Sequence, residues 1–152
     1  IQKGALEKNT KKPRTARGLL PPDTKLEGAK RIGIYGEIAA GATRLSEELK
    51  LGALVIDKAL SQKPSFALRV VGNSMIEVGI YEGDILVVEQ EARVANGDII
   101  VALVDGETTV KRYQKKAGKV SLIPENETMK PIEITTQTFE IQGKVVGLQR
   151  KI

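Results

Sequence analysis

The sequence contains neither cysteine nor histidine among its 152 residues. The absence of cysteine excludes disulfides and thiolate metal sites. The absence of histidine removes the most frequent general base of enzymes and the commonest metal ligand. Any catalytic nucleophile must therefore be activated by a lysine, a carboxylate or a terminal amine. We expect neither a metal site nor a cofactor.

Long apolar runs are also absent. No stretch of about 18 apolar residues occurs, so no transmembrane helix is expected. No signal peptide is visible, and together with the lack of cysteine this favours a cytoplasmic protein. The chain begins with Ile1 and not with Met, which indicates a fragment. Its length predicts one domain with a short appendage.

The positive charge is concentrated at one end of the chain. Of the 24 Lys/Arg and 19 Asp/Glu, nine and three lie in residues 1–31, so the remainder is almost neutral. A basic segment beside a nearly neutral domain indicates a nucleic-acid contact or a linker. Charge alone fits a solubilising tail equally well.

This basic arm divides into two segments. Residues 4–20, GALEKNTKKPRTARGLL, place a basic loop between short apolar ends, which predicts a hairpin with a basic tip. Pro21-Pro22 and the polar residues up to 31 predict a linker.

From residue 32 onward the pattern predicts a mainly β domain. Short apolar runs alternate with turns rich in Gly, Asn and Asp, which is typical of a sandwich or a barrel-like domain. Residues 32–42 fit an extended segment ending in small residues, residues 45–56 fit a helical turn or a strand, and Ser74–Gly79 fits a helical turn. The other predicted strands are Phe66–Val71, Ile85–Val88, Ile99–Val104, Thr108–Tyr113, Val120–Ile123, Ile132–Thr135 and Phe139–Leu148.

A serine lies between two of these predicted strands, in the segment VVGNSMIEVGIYEGDILVV. Ser74 follows Gly72-Asn73, where a turn can direct the N–H groups of Asn73 and Ser74 toward one point and form an oxyanion hole. The simpler alternative, which is more frequent for an isolated motif, is a turn serine that caps a short helix.

Lys111 is the leading candidate for the base of Ser74. In ETTVKRYQKK, the residues Thr109, Lys111 and Tyr113 share one face of a predicted strand. If that face is buried, desolvation lowers the pKa of Lys111, and a neutral lysine can accept a serine proton. Ser–Lys pairs are a known variant of the catalytic triad. A solvent-facing lysine is the ordinary alternative, and spacing does not show that the two residues meet.

Three motifs in the same order resemble the LexA family, the self-cleaving repressors of the bacterial DNA-damage (SOS) response. GEIAAG is similar to the cleavage segment, which implies Ala40–Gly41 as the scissile bond and Ile38 as a residue held in a pocket before it. Composition alone favours a flexible linker for this segment. VVGNSMIEVGIYEGDILVV is similar to the nucleophile segment and implies Ser74. GETTVKRYQKKAGKVSLIPENETMKPI is similar to the base segment and implies Lys111, with PEN and KPI as further family traits.

The resemblance extends to the basic arm and implies a domain division. IQKGALEKNTKKPRTARGLL resembles the end of the last helix and the wing of a winged helix-turn-helix domain, which assigns residues 1–20 to a partial DNA-binding domain. Residues 21–31 are then the linker, and residues 32–152 a peptidase and dimerisation domain of short, strongly bent strands, as in signal peptidases. The wing residues implied to contact DNA are Lys11, Lys12 and Arg14.

The resemblance also implies regulation and partners. The cleavage loop would be held away from the serine until a RecA–single-stranded-DNA filament favours the docked state. Operator DNA is the partner of the full-length protein, and no membrane partner is expected. Homodimers would form through FEIQGKVVGLQ, because we do not expect Phe139, Ile141, Val145 and Val146 all to be satisfied at a free sheet edge.

Other interpretations remain open. A UmuD-like polymerase subunit or a phage repressor would share the self-cleavage, although the wing-like arm favours LexA over UmuD. A processing peptidase like type I signal peptidases shares the Ser–Lys logic, but the internal Ala-Gly site and the lack of a membrane anchor argue against it. A non-enzymatic DNA-binding or dimerisation module is the third alternative, although Ser74, Lys111, Ala40 and Gly41 are all present.

Overall fold

The computed structural model describes residues 27–38 and 45–152, which form nine strands in one sheet. In chain order the strands are β1 (Ala29–Tyr35), β2 (Lys50–Asp57), β3 (Ser65–Arg69), β4 (Ile85–Glu89), β5 (Ile99–Val104), β6 (Glu107–Lys116), β7 (Lys119–Ile123), β8 (Ile132–Glu133) and β9 (Phe139–Gln149). Their order across the sheet is β2-β1-β3-β4-β9-β5-β6-β7-β8. Over these described ranges the helical elements are two short 3-10 turns, Glu47–Leu49 and Ile76–Val78, and no helix is long and apolar enough to cross a membrane.

The predicted mainly β fold is confirmed. All the strands predicted from residue 66 onward are present, with ends that differ by a few residues, and the segment from 45 to 56 contains both a helical turn and β2. β1 begins at Ala29, so the sheet includes the end of the segment predicted as a linker. The predicted wing, with Lys11, Lys12 and Arg14, lies outside the described residues.

β9 lies inside the sheet, and this corrects the reason given for dimerisation. Its first half pairs with β5 and its second half with β4. The apolar side chains expected to be unsatisfied at a free edge are instead partly buried and pack against the cores: Phe139, Ile141, Val145 and Val146. The strand changes partners near Gly143, where a Cβ atom would lie 2.6 Å from the carbonyl oxygen of Glu89. Only glycine permits this close crossing of β9 and β4.

The largest apolar core lies beneath the segment that carries the predicted serine. Phe66 of β3, Leu86 of β4 and Val101 of β5 are its almost fully buried centre. Met75 and Ile80, on either side of the second 3-10 turn, pack into the same cluster. Because full burial of each such side chain contributes about 1.5–3 kcal/mol, the turn between β3 and β4 is anchored at both ends.

Candidate active site

Ser74 lies in the turn between β3 and β4, immediately before the 3-10 turn Ile76–Val78. Its Oγ lies 3.3 Å from Nζ of Lys111 and 3.4 Å from the carbonyl oxygen of Val110. The structure thus brings together the two residues that the sequence places 37 positions apart. Both line a cleft of about 270 Å³ whose walls come from β3, β6 and the serine turn.

Lys111 is placed on β6 opposite Ile100, a fully buried residue of β5. The lysine is itself only 8% exposed. Besides Ser74, its Nζ contacts Oγ1 of Thr109 at 2.6 Å, so its partners among the described residues are hydroxyl groups and not carboxylates. Burial lowers the pKa of Lys111 below its ordinary value, since the charged form loses hydration.

Three hydrogen bonds hold the backbone of residues 72–74. The Gly72 N–H donates to Oε1 of Glu82 at 2.8 Å. Nδ2 of Asn126 donates to the Asn73 carbonyl at 2.9 Å, and the Glu125 N–H donates to the Ser74 carbonyl at 2.7 Å. Within the described part of the chain, the N–H groups of Asn73 and Ser74 have no acceptor.

Ile38 marks where the chain enters the predicted cleavage segment. It is 2% exposed and belongs to the core cluster beneath the serine turn. Its N–H donates to Oγ1 of Thr108, at the start of β6, at 2.9 Å. Ala40 and Gly41, predicted as the scissile pair, lie outside the described residues. The segment leading to them is therefore fixed on the strand that carries Lys111.

The comparisons with known proteins agree with one another. Residues 33–146 match the family model described as Peptidase S24-like. The LexA repressor of Syntrophobacter fumaroxidans is 41% identical over 98% of this chain and 71% of its own length. The LexA repressors of Carboxydothermus hydrogenoformans (41% identical; 98% of this chain, 73% of the relative) and Clostridium tetani (40%; 99% and 74%) are similar over the same extent. The chain belongs to the LexA family of S24-like peptidases.

Membership in the LexA family gives the site a chemical class. The family supports a repressor-like protein with a serine peptidase domain that cleaves its own chain. The resemblance stated from the motifs is thereby confirmed at the level of the family. In the described ranges, no group of three or more His, Cys, Asp or Glu residues is arranged to hold a metal ion.

Several residues around the LexA-type site were not singled out from the sequence. Thr109 was noted only as sharing a face with Lys111, yet its hydroxyl is the nearest partner of the amine. Asn126 belongs to the PEN motif, which gave no hint of its contact with the serine turn. Thr108 holds Ile38. The two-residue period of β6 could have indicated Thr109, but the other contacts depend on chain folding over long sequence distances.

Proposed function

We propose that this LexA-family protein is a repressor that inactivates itself by cutting the Ala40–Gly41 bond, with Ser74 as nucleophile and Lys111 as general base. The observation that carries the proposal is the 3.3 Å contact between Ser74 Oγ and the amine of a buried lysine. An amine whose pKa is lowered by burial is available as a base at a pH where an exposed lysine is charged.

The chemistry follows from the positions of these groups. Neutral Lys111 accepts the hydroxyl proton while Ser74 Oγ bonds to the carbonyl carbon of Ala40. The N–H groups of Asn73 and Ser74 hold the resulting oxyanion. The Lys111 ammonium then protonates the nitrogen of Gly41 as the C–N bond breaks. Water, deprotonated by Lys111, releases the acyl group from Ser74.

The position of Ile38 supports delivery of the bond to the serine. Ala40 is two residues further along, so its Cα lies within about 7 Å of the Cα of Ile38. Ile38 is held by Thr108, three residues before Lys111 on the same strand. Because the substrate belongs to the same chain, its effective concentration at the site is high. Cleavage must then be controlled by how often the loop occupies the cleft.

The proposal includes the partners that would regulate self-cleavage and repression. We propose that a RecA–single-stranded-DNA filament favours the docked loop during the SOS response, as one state of a two-state equilibrium. Residues 1–20 are proposed as part of a winged helix whose Lys11, Lys12 and Arg14 contact operator DNA, followed by a linker and the peptidase and dimerisation domain. We propose that the protein acts in the cytoplasm, where it would meet operator DNA and RecA.

Dimerisation through β9 is proposed from the backbone edges that this strand leaves unpaired. Among the described residues, the second half of β9 pairs with β4 alone and its first half with β5 alone. One backbone edge of each half therefore carries no strand of the described chain, and such edges readily pair with another chain. Leu148, in the second half, is 40% exposed. A second copy laid along this half would cover both features.

The test is self-cleavage of the purified protein at alkaline pH without any partner, followed by mass spectrometry. We expect two fragments, residues 1–40 and 41–152, and their loss in Ser74→Ala and Lys111→Ala. Lys116→Ala is the matched control, since Lys116 is an exposed lysine of the same strand, and should cleave like the parent. Cleavage at another bond, or in either dyad variant, would overturn the proposal.

A further inference from the structure

The carbonyl groups of Asn73 and Ser74 both accept hydrogen bonds from one distant segment, residues 124–126. Nδ2 of Asn126 holds the carbonyl of Asn73 at 2.9 Å, and the N–H of Glu125 holds the carbonyl of Ser74 at 2.7 Å. The segment therefore determines how the peptide units around the serine are oriented.

Asn126 is itself fixed by its surroundings. The side chain is 6% exposed, and its Oδ1 accepts from the N–H of Thr128 at 2.9 Å and from the Thr128 hydroxyl at 2.7 Å. The amide oxygen is thus satisfied on one side and the Nδ2 donor points to Asn73 on the other. A buried amide with both ends engaged holds one orientation.

The hydrogen bond from Asn126 to the Asn73 carbonyl also orients the N–H group of Ser74. The described part of the chain contains no cis peptide bond, so the C=O of Asn73 and the N–H of Ser74 point in opposite directions. A carbonyl directed to Asn126 therefore directs the Ser74 N–H away from residues 124–126. That N–H has no acceptor among the residues that the structure describes.

We propose that Asn126 is a positioning residue of self-cleavage, which aims the Ser74 N–H at the oxyanion by holding the carbonyl of Asn73. The inference rests on the proposed function, because it presupposes attack by Ser74. A donor fixed before the reaction needs no reorientation as charge develops on the substrate oxygen.

The same segment also relates the turn to the base. Residues 124–126 directly follow β7, which pairs with β6. Arg112, next to Lys111 on β6, contacts Oε2 of Glu125 through Nε at 2.8 Å. The strand that carries the base and the turn that carries the nucleophile are therefore connected through Glu125 and Asn126.

Two substitutions test the role. Asn126→Ala removes the donor, and Asn126→Asp keeps the shape and Oδ1 but places an oxygen against the Asn73 carbonyl. Loss of a direct oxyanion donor lowers rates by about 10²- to 10³-fold, so loss of its positioning should lower the plateau rate of self-cleavage at least about tenfold. The pH midpoint of the Ala variant should match the parent, because both hydroxyl partners of Lys111 remain.

A matched control is Asn96→Ala, which removes another asparagine that bridges backbone groups, those of Lys115, and should cleave within about twofold of the parent. Plateau rates of the Asn126 variants within twofold of the parent would overturn the inference. A shifted midpoint with an unchanged plateau would do the same, since it would indicate loosening around Lys111. If Asn126→Ala does not fold by circular dichroism, the plateau of the nearly isosteric Asp variant decides.

The two proposals fail in distinguishable ways. If Ser74→Ala or Lys111→Ala still cleaves, the dyad itself is wrong, whatever the Asn126 variants do. If both dyad variants are inactive while the Asn126 variants cleave like the parent, only the positioning role is wrong.

Discussion

At the scale of single residues, the proposed base is a buried amine that has no charged partner among the residues that the structure describes. Nζ of Lys111 contacts two hydroxyl oxygens, so the lost hydration of an ammonium is not offset by a carboxylate. Asp84 shows the opposite arrangement in the same protein. It is 2% exposed but accepts hydrogen bonds from Arg150 at 2.7 and 2.8 Å, which hold the pKa of the carboxyl below its usual value. Burial thus favours a neutral lysine, while pairing keeps the aspartate charged.

The proposed role of Lys111 as the base predicts how self-cleavage depends on pH. The lysine must be neutral to act, and below its apparent pKa each pH unit increases the neutral fraction about tenfold. The first-order rate, measured without a partner, should therefore climb with pH and level off. Because burial lowers the pKa, the plateau should begin below the value near 10.4 that is typical of a free lysine. A flat profile from pH 6 to 10 would mean that another group is the base.

At the scale of the elements, β6 carries both the proposed base and the residue that holds the segment leading to the proposed cleavage site. Thr108 binds Ile38 near the start of the strand, and Lys111 lies three residues further on. An extended strand keeps the Cα atoms of these two residues about 10 Å apart. The segment leading to the proposed cleavage site and the proposed base are therefore linked through one strand.

Thr108→Val tests this anchor. The substitution keeps the size of the side chain but removes the hydroxyl, which accepts from the Ile38 N–H at 2.9 Å and donates to the Ile38 carbonyl at a longer 3.4 Å. A single hydrogen bond contributes about 0.5–1.5 kcal/mol, so the plateau rate of self-cleavage should fall about two- to tenfold, with the pH midpoint unchanged. Thr135→Val, an exposed threonine remote from the cleft, should have no effect. An unchanged rate in Thr108→Val would show that Ile38 needs no hydroxyl anchor.

The hairpin between β6 and β7 contains a residue that fits its conformation poorly. Ala117 has φ 51° and Gly118 φ 79°, the left-handed pair of a type I′ turn. The β5–β6 hairpin uses Asp105-Gly106 in the same conformation, with φ values of 50° and 81°. Aspartate and asparagine tolerate this region better than alanine.

Ala117→Asn should accordingly stabilise the protein by about 1 kcal/mol. For a chain of this size that corresponds to a rise of about 2–4 °C in Tm. The measurement is thermal unfolding in the Ser74→Ala background, which prevents self-cleavage. Asp105→Asn is the control and should leave Tm nearly unchanged. No rise for Ala117→Asn would show that the alanine is not strained.

The sequence predicted the strands because each one carries a local signal. Alternating apolar residues and Gly, Asn or Asp turns need no knowledge of the partner strand. The burial of Lys111 could be stated only as a condition, because the alternation of β6 does not reveal which face is covered. The contact with Ser74 depends on the β5–β6 and β6–β7 ladders and on Asn126, all of which join distant residues.

The central position of β9 could not be predicted from the sequence for a similar physical reason. A long alternating segment such as β9 fits an edge or the centre of a sheet equally well by pattern. Its central position depends on Gly143, which allows the strand to cross close to Glu89 and exchange β5 for β4. A glycine inside a strand can signal such a close approach, but it does not identify the strand that approaches.

At the scale of the whole molecule, β9 connects the site to the proposed dimer interface. Arg150 follows the end of β9 directly, and its guanidinium holds Asp84 and the carbonyl of Gly79 in the segment after Ser74. The dyad nevertheless lies within one chain, since both Ser74 and Lys111 come from the same copy. Assembly and catalysis should therefore be separable by substitution.

Leu148→Glu provides that separation. A charge at this exposed apolar position of β9 opposes burial against a second copy, because an unpaired buried charge is costly. We expect the parent, in the Ser74→Ala background, to sediment as a dimer and Leu148→Glu as a monomer. Val55→Glu changes a comparably exposed apolar residue of β2, the strand at one end of the sheet. This variant should remain dimeric. A Leu148→Glu protein that stays fully dimeric would place the interface elsewhere. With Ser74 intact, the Leu148→Glu monomer should still cleave itself at alkaline pH.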